Sequence, residues 1–294
     1  MSTRRFLQLD VFTDRPGAGN PLAVVVEADG LDDEAMQAFA HWTNLSETIF
    51  LFPPDIEQAN YRVRIFTPRS ELPFAGHPSI GAAWAVLETG LTTAPEGRLI
   101  QQCDAGLLPV WIEEREGIRV IHVRSPSARR REVVGPDWLS ADALFGARRG
   151  SLPPALWDNG PNWWLVELAD EQSVRGLSPD LAAIASLPGT MQSPGGKLAV
   201  FARCHEATDY QLVVRAFAPA QGIPEDPVTG SANACIAAML HRAGRLPGTG
   251  NRYIAHQGRE IGRDGKVEIT VDADGEVWIG GQVQTVIRGE MDWP

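Results

Sequence analysis

Three ionisable side chains stand where their surroundings could make them reactive. Glu47 immediately precedes the apolar run Thr48-Ile-Phe-Leu-Phe52, so its carboxylate can be desolvated and its pKa raised towards neutrality, as a general base requires. His77 follows Gly76 at the start of an apolar helix, and Asp226 stands just ahead of Gly230 at the start of another. Such groups can move protons to and from a carbon acid. If both helices turn their N-termini to a ligand, the backbone N–H groups after Gly76 and Gly230 make two positive ends suited to a carboxylate. The substrate implied is a small organic acid. Each residue also admits a plainer role: Ser46-Glu47-Thr48 as an ordinary helix-to-strand connection, His77 as an exposed neighbour of a cap, Glu225-Asp226 as a solvated acidic turn that favours the helix dipole.

The elements that must position these residues are written twice. Arg64-Ile-Phe-Thr-Pro68, Glu71 and Phe74-Ala-Gly-His-Pro-Ser-Ile-Gly-Ala-Ala-Trp-Ala-Val-Leu87 are echoed by Arg215-Ala-Phe-Ala-Pro219, Glu225 and Val228-Thr-Gly-Ser-Ala-Asn-Ala-Cys-Ile-Ala-Ala-Met-Leu240. Both read strand, Pro turn, acidic loop, glycine, small-residue helix. Such a duplication predicts two similar halves, residues 1–125 and 126–294 with the last strand free to return to the first half, facing each other across a cleft that binds a small molecule. Phe6–Phe12, Leu22–Glu27, Thr48–Phe52, Leu107–Ile112, Arg119–Val123, Trp163–Leu168 and Lys197–Ala202 read as strands from alternation or apolar runs. A helix capped by Asp32 or Asp33 carries Met36, Phe39, Ala40 and Leu45 at helical spacing. Another starts at Ser178, and the two repeated helices end near Gly90 and Gly244. Asp264-Gly265, Asp274-Gly275 and Gly280-Gly281 read as hairpin turns. Strands outnumber helices, and the Gly, Ala and Ser content of both repeated helices fits a curved sheet wrapped closely around each.

Composition narrows the function. The chain has 294 residues, a net charge of −11, 29 Gly and 22 Pro, which suits a turn-rich globular protein and opposes non-specific attraction to nucleic acid or anionic membrane. Arg129-Arg130-Arg131 is a short exception and reads as a solvated linker. The 3 cysteines, Cys103, Cys204 and Cys235, lack the paired spacings of a disulfide framework or a zinc site, so a reducing cytoplasm and no metal are expected. No apolar run approaches the ~20 residues of a membrane span, and Gln8 and Asp10 interrupt any leader-like stretch. Nothing matches G-x-G-x-x-G after a strand. Ser193-Pro-Gly-Gly-Lys197 fails as a phosphate loop, because Gly189 is out of register and Leu198 stands where Ser or Thr would meet magnesium.

Gly19-Asn-Pro-Leu-Ala-Val-Val25, Ser46-Glu-Thr48, Phe74-Ala-Gly-His-Pro78, Glu225-Asp-Pro-Val-Thr-Gly-Ser-Ala232 and Gln257-Gly258 followed by Gly262-Arg263 resemble the phenazine biosynthesis PhzF-like family across nearly the whole chain. The resemblance implies an α+β fold of the diaminopimelate epimerase type, with two similar halves, each a curved, mostly antiparallel sheet around a central helix, the active site between them, and a homodimer. It also implies an isomerase that works without a cofactor, like the namesake acting on trans-2,3-dihydro-3-hydroxyanthranilate. By the same resemblance Glu47 takes the acid/base role, His77 and Asp226 assist, and Gly76, Gly230, Ser231 and Asn20 bind the substrate. Epimerase relatives carry a cysteine at each helix start; Ala75 and Thr229 stand there, so a two-thiol racemisation is ruled out. Ser79 replaces a common Thr and keeps the hydroxyl. The Trp157–Trp164 segment either shapes the pocket or packs a core. Two other functions stay open: a racemase or epimerase built on carboxylates, and a non-catalytic small-acid binding protein.

Overall fold

The computed structural model describes residues 3–191, 193–204 and 209–294. The chain divides into two compact units, one running to Arg124 and including 280–294, the other spanning Ser125–Ile279.

In the first unit β1 (Thr3–Val11) pairs antiparallel with β2 (Asn20–Val25), and after α1 (Asp33–Thr43) the chain adds β3 (Glu47–Phe52) parallel to β2. β4 (Tyr61–Phe66) returns antiparallel to β3, the two-residue β5 (Glu71–Leu72) folds back on β4, and the chain enters α2 (Gly76–Glu88). β6 (Arg98–Cys103) then lies parallel to β4, followed by the antiparallel β7 (Gly106–Arg115) and β8 (Ile118–Arg124). α2 touches β1, β2, β3, β4, β6 and β8. A helix enclosed on so many sides must be apolar and thin, and ten of its residues, from Gly76 to Val86, are buried. Gly81 is the point of closest approach, where an added methyl would overlap the Leu22 side chain. α1 covers the outside of the sheet, burying Met36, Phe39 and Ala40 against Val25, Phe50 and Phe66.

The second unit follows the same rules. β9 (Arg129–Arg131) pairs with β12 (Ala155–Asp158), and a small ribbon of β10 (Ala143–Leu144) and β11 (Ala147–Arg148) lies between them in sequence. β12 is antiparallel to β13 (Asn162–Glu167); after the short helices α3 (Glu171–Arg175) and α4 (Leu181–Ala185), β14 (Leu198–Arg203) lies parallel to β13. β15 (Leu212–Ala218) is antiparallel to β14, β16 (Ile223–Asp226) folds back on β15, and α5 (Gly230–Arg242) follows. β17 (Arg252–Gln257) is parallel to β15 and antiparallel to β18 (Gly265–Val271). Strand for strand, β12–β18 with α5 repeat the directions of β1–β7 with α2. β19 (Val277–Gly281) leads to β20 (Val283–Asp292), which pairs with β1 in the first unit.

The repeated arginines explain why the duplicated segments look alike. Arg64 grips Glu71 with two parallel bonds of 2.7 and 2.6 Å, and Arg215 grips Glu225 with bonds of 2.9 and 2.8 Å. Each fork closes its Pro turn and sets the return strand that delivers the chain to the helix.

Several local expectations fail for physical reasons. α1 stops at Thr43 because Asn44 adopts a left-handed backbone, φ 54°, so Leu45 lies beyond the helix and is only half-buried. The helix expected from Ser178 is the shorter α4, capped by Asp180. Asp264-Gly265 is no hairpin turn: Gly258 and Gly262, with φ 99° and 76°, turn the chain, and Gly265 already begins β18. Gly280-Gly281 closes a strand. The arginine run is the short strand β9 rather than a linker, with Arg131 bonded to Asp158 at 3.1 Å. Among the described residues no helix is long and apolar enough to cross a membrane.

Candidate active site

Within the first unit, the start of β3 and the start of α2 bring Asn20, Ser46, Glu47 and His77 together. Parallel pairing sets Glu47 opposite Leu22, two residues beyond the buried Asn20. The turn ahead of Asn20 is held by Asp10, whose Oδ2 accepts from the N–H groups of Gly17 and Gly19 at 2.6 and 3.2 Å. Ser46 Oγ donates to Asn20 Oδ1 at 3.3 Å, which leaves the amide nitrogen facing His77 Nδ1, also at 3.3 Å. Nδ1 therefore accepts, and the imidazole proton sits on Nε2. Nε2 lies 3.4 Å from Glu47 Oε2, with the two side chains only 4% and 13% exposed. Burial drives the His77 pKa down from 6.5 to about 3, so near neutral pH the ring is uncharged, and its Nε2 lies beside the carboxylate without being aligned for a hydrogen bond to it.

α2 itself starts without a side-chain cap: Ala75 holds the N-cap position. The hydrogen-bond ladder begins with Ser79 N–H on the Ala75 carbonyl at 3.1 Å, so the N–H groups of Gly76 and His77 lie ahead of it, and Pro78 has none to offer. This is the positive end of a helix with the geometry to bind an anion. Ser79 points inward, where its Oγ accepts from Gln101 Nε2 at 2.9 Å, and Gln101 in turn accepts from Tyr61 OH at 3.2 Å.

Within the second unit, α5 also lacks a side-chain cap, with Thr229 at the N-cap position. Asp226 ends β16 and is buried, and Thr229 Oγ1 donates to its Oδ2 at 2.6 Å. Ser231, in the first turn, accepts from Trp163 Nε1 at 3.1 Å, and its backbone carbonyl accepts from Asn159 Nδ2, also at 3.1 Å.

These positions answer the plainer alternatives. His77 is buried, not an exposed cap neighbour. Glu225-Asp226 is not a solvated turn, since Glu225 is spent on Arg215 and Asp226 on Thr229. Asn20, expected as a substrate contact, is fully buried, with Oδ1 accepting from Ser46 and Nδ2 facing His77. The Trp segment divides its duties, with Trp163 reaching Ser231 while Trp164 packs the core and donates to the Pro188 carbonyl at 2.9 Å. Gln257, Asn233 and Thr229 were not expected as site residues; Gln257 Oε1 accepts from Thr229 N–H at 3.0 Å and from Asn233 Nδ2 at 3.1 Å. Cys235 lies fully buried inside α5 with its thiol pushed well up by burial, far from the chemistry a nucleophilic thiolate would need.

The family model described as phenazine biosynthesis-like protein matches residues 9–289. The chain is 33% identical to trans-2,3-dihydro-3-hydroxyanthranilate isomerase of Pseudomonas aeruginosa, covering 92% of each chain. It is likewise 33% identical to antisense-enhancing sequence 1 of Schizosaccharomyces pombe, covering 99% of each. Among solved structures, a phenazine biosynthesis protein of the PhzF family from Bacillus anthracis is 26% identical, with a TM-score of 0.83 and 99% of each chain covered.

Proposed function

The chain belongs to the family of phenazine biosynthesis-like proteins, and on that premise we propose that it is an isomerase that needs no cofactor and moves a proton on a small cyclic or unsaturated carboxylic acid. The isomerase class is shared with curated relatives, and the α+β fold is of the diaminopimelate epimerase type. The observation that carries the reaction is the Glu47–His77 pair at 3.4 Å, with His77 neutral and its proton on the nitrogen nearest Glu47.

In this reading the Glu47 carboxylate takes a proton from an activated C–H of the acid. The electron pair left behind spreads through the adjacent double bond, and the protonated Glu47 returns a proton at the far end of that system. A C–H bond breaks, another forms, the double bond moves, and no electron is gained or lost. His77 does not ionise; its Nε2–H, 3.4 Å from the carboxylate and not aligned with it, turns to steady the carboxylate when substrate binds, and Asn20 steadies His77. Gly76 in the first turn of α2, and Gly230 and Ser231 in the first turn of α5, are the proposed carboxylate-binding positions, and Asp226 is proposed as a second acid/base group. Ala75 and Thr229 at the two N-cap positions support a carboxylate in place of the two thiols of the epimerases.

The test is solvent exchange. The protein is incubated in heavy water with trans-2,3-dihydro-3-hydroxyanthranilate and a panel of small unsaturated acids, and deuterium at carbon is followed by NMR. Exchange with a moved double bond is expected. Exchange with inverted chirality alone points to a racemase, and no exchange across the panel points to a binding protein. We further propose a homodimer, which light scattering on the purified protein tests directly.

A further inference from the structure

Gln257 closes β17 with a carboxamide whose hydrogen bonds all go to the loop and first turn of α5. Its Oε1 accepts from the Thr229 backbone N–H at 3.0 Å and from Asn233 Nδ2 at 3.1 Å. Its Nε2 donates to the Asp226 backbone carbonyl and to Thr229 Oγ1, both at 2.9 Å. Backbone groups cannot exchange roles, so the Thr229 N–H must meet oxygen and the Asp226 carbonyl must meet N–H, which fixes the sense of the amide. Thr229 Oγ1 must then accept from Gln257. Its only proton is left for Asp226 Oδ2, 2.6 Å away, a length typical of a hydroxyl on a charged oxygen.

The backbone is shaped to allow this grip. Gly258 has φ 99°, and a methyl there would sit 2.6 Å from the Pro227 carbonyl; a methyl on Gly265 would overlap Val228. Two glycines flanking Gln257 in the β17–β18 pair thus let the segment from Asp226 to Thr229 press onto the sheet. The Gln257 side chain is fully buried, and Thr229 and Asp226 are 4% and 9% exposed. Several charged groups on the adjoining elements have partners of their own, Glu225 with Arg215, His256 and Arg259 with Asp264, Glu260 with Arg175, and Asp158 with Arg131, while Arg263 packs beside Gly258.

We propose that Gln257 is a positioning residue for Asp226 that acts through Thr229: it dictates where the Thr229 hydroxyl points and so keeps a donor on the Asp226 carboxylate. The consequence for turnover rests on Asp226 being an acid/base group; the positioning itself does not.

The test is the titration of Asp226 in the full chain, read by NMR on protein carrying ¹³C in the aspartate carboxyl carbons, with Asp226→Asn identifying the signal. Thr229→Val and Gln257→Met should each raise the midpoint by about one pH unit, because the charged form loses its donor. Thr229→Ser should restore the parental value. The double variant Thr229→Val, Gln257→Met should go no higher than Thr229→Val alone. If Gln257→Met does not fold, Gln257→Glu keeps the acceptor and loses the donor, and the shift it causes should shrink by about that same unit when residue 229 is Val. A parental midpoint in a folded Gln257 variant, or a Gln257 effect equally large without the Thr229 hydroxyl, overturns the proposal. Turnover measured alongside keeps the two claims apart: shifted midpoints with unchanged turnover uphold the positioning and remove Asp226 from the reaction.

Discussion

His77 gives the reasoning a quantitative exposure, because its burial should be visible in stability as well as chemistry. An unfolded chain carries an ordinary imidazole with a pKa near 6.5, whereas burial lowers the folded value to about 3. Below pH 6.5 the unfolded state takes up a proton that the folded state refuses, so stability is complete above that pH and falls as the pH is lowered towards 3. The full separation of about 3.5 units, at about 1.4 kcal/mol each, sets a ceiling near 5 kcal/mol. Between pH 6.5 and 4.5 the loss is at most about 2 kcal/mol, and the Glu47 carboxylate at 3.4 Å, which would attract an imidazolium, offsets part of it, so about 1–2 kcal/mol is the working figure. The perturbation is His77→Gln, which keeps an N–H donor and cannot titrate. Denaturant unfolding of parent and variant across this range isolates His77, since every other carboxylate contributes to both. The parent should lose stability more steeply, by up to one proton's worth of slope. Parallel curves would refute the claim that His77 is held neutral by burial.

Other consequences follow from the same contacts. Singly replacing Cys103, Cys204 and Cys235 with Ala or Ser should leave turnover within a few-fold of the parent, and outright loss in a folded variant would contradict the assignment of chemistry to carboxylates. Arg215→Lys should destabilise by about 1–3 kcal/mol and Arg64→Lys by less, because Arg215 and its Glu225 are 7% and 11% exposed while Arg64 and Glu71 are 20% and 28% exposed; thermal unfolding ranks them. Gly265→Ala forces a methyl into Val228 and should cost turnover out of proportion to stability by displacing Asp226, whereas Gly289→Ala, where nothing lies within 4 Å, should be silent in both assays.

Much of this was legible in the sequence because it is local. The Arg and Glu of each repeated segment are 7 and 10 residues apart, with the Pro between them and the Gly just beyond, and the structure turns that spacing into two forks and two uncapped helices. Glu47 could be singled out because one side of it is polar and the other strongly apolar. What escaped is what lies far apart along the chain. Trp163 is 68 residues from Ser231 and Gln257 is 28 from Thr229, and no periodicity links a strand end to a distant helix start. Asn20 was visible as a polar residue in an apolar motif, but its contact with His77 depended on the parallel pairing of β2 with β3. The overlong α1 had a simpler cause, since Leu45 continues the helical spacing while Asn44 takes the left-handed conformation that ends it.

The account stands or falls on Glu47. Glu47→Gln keeps the size and most of the hydrogen bonding but cannot take a proton, so deuterium incorporation into the acid substrate, followed by NMR in heavy water beside the parent protein, measures the claim directly. The prediction is a fall in exchange rate on the order of 10²-fold or more, with binding of the acid, measured by calorimetry, changed far less. A well-folded Glu47→Gln protein exchanging at close to the parental rate would contradict it and move the base to Asp226.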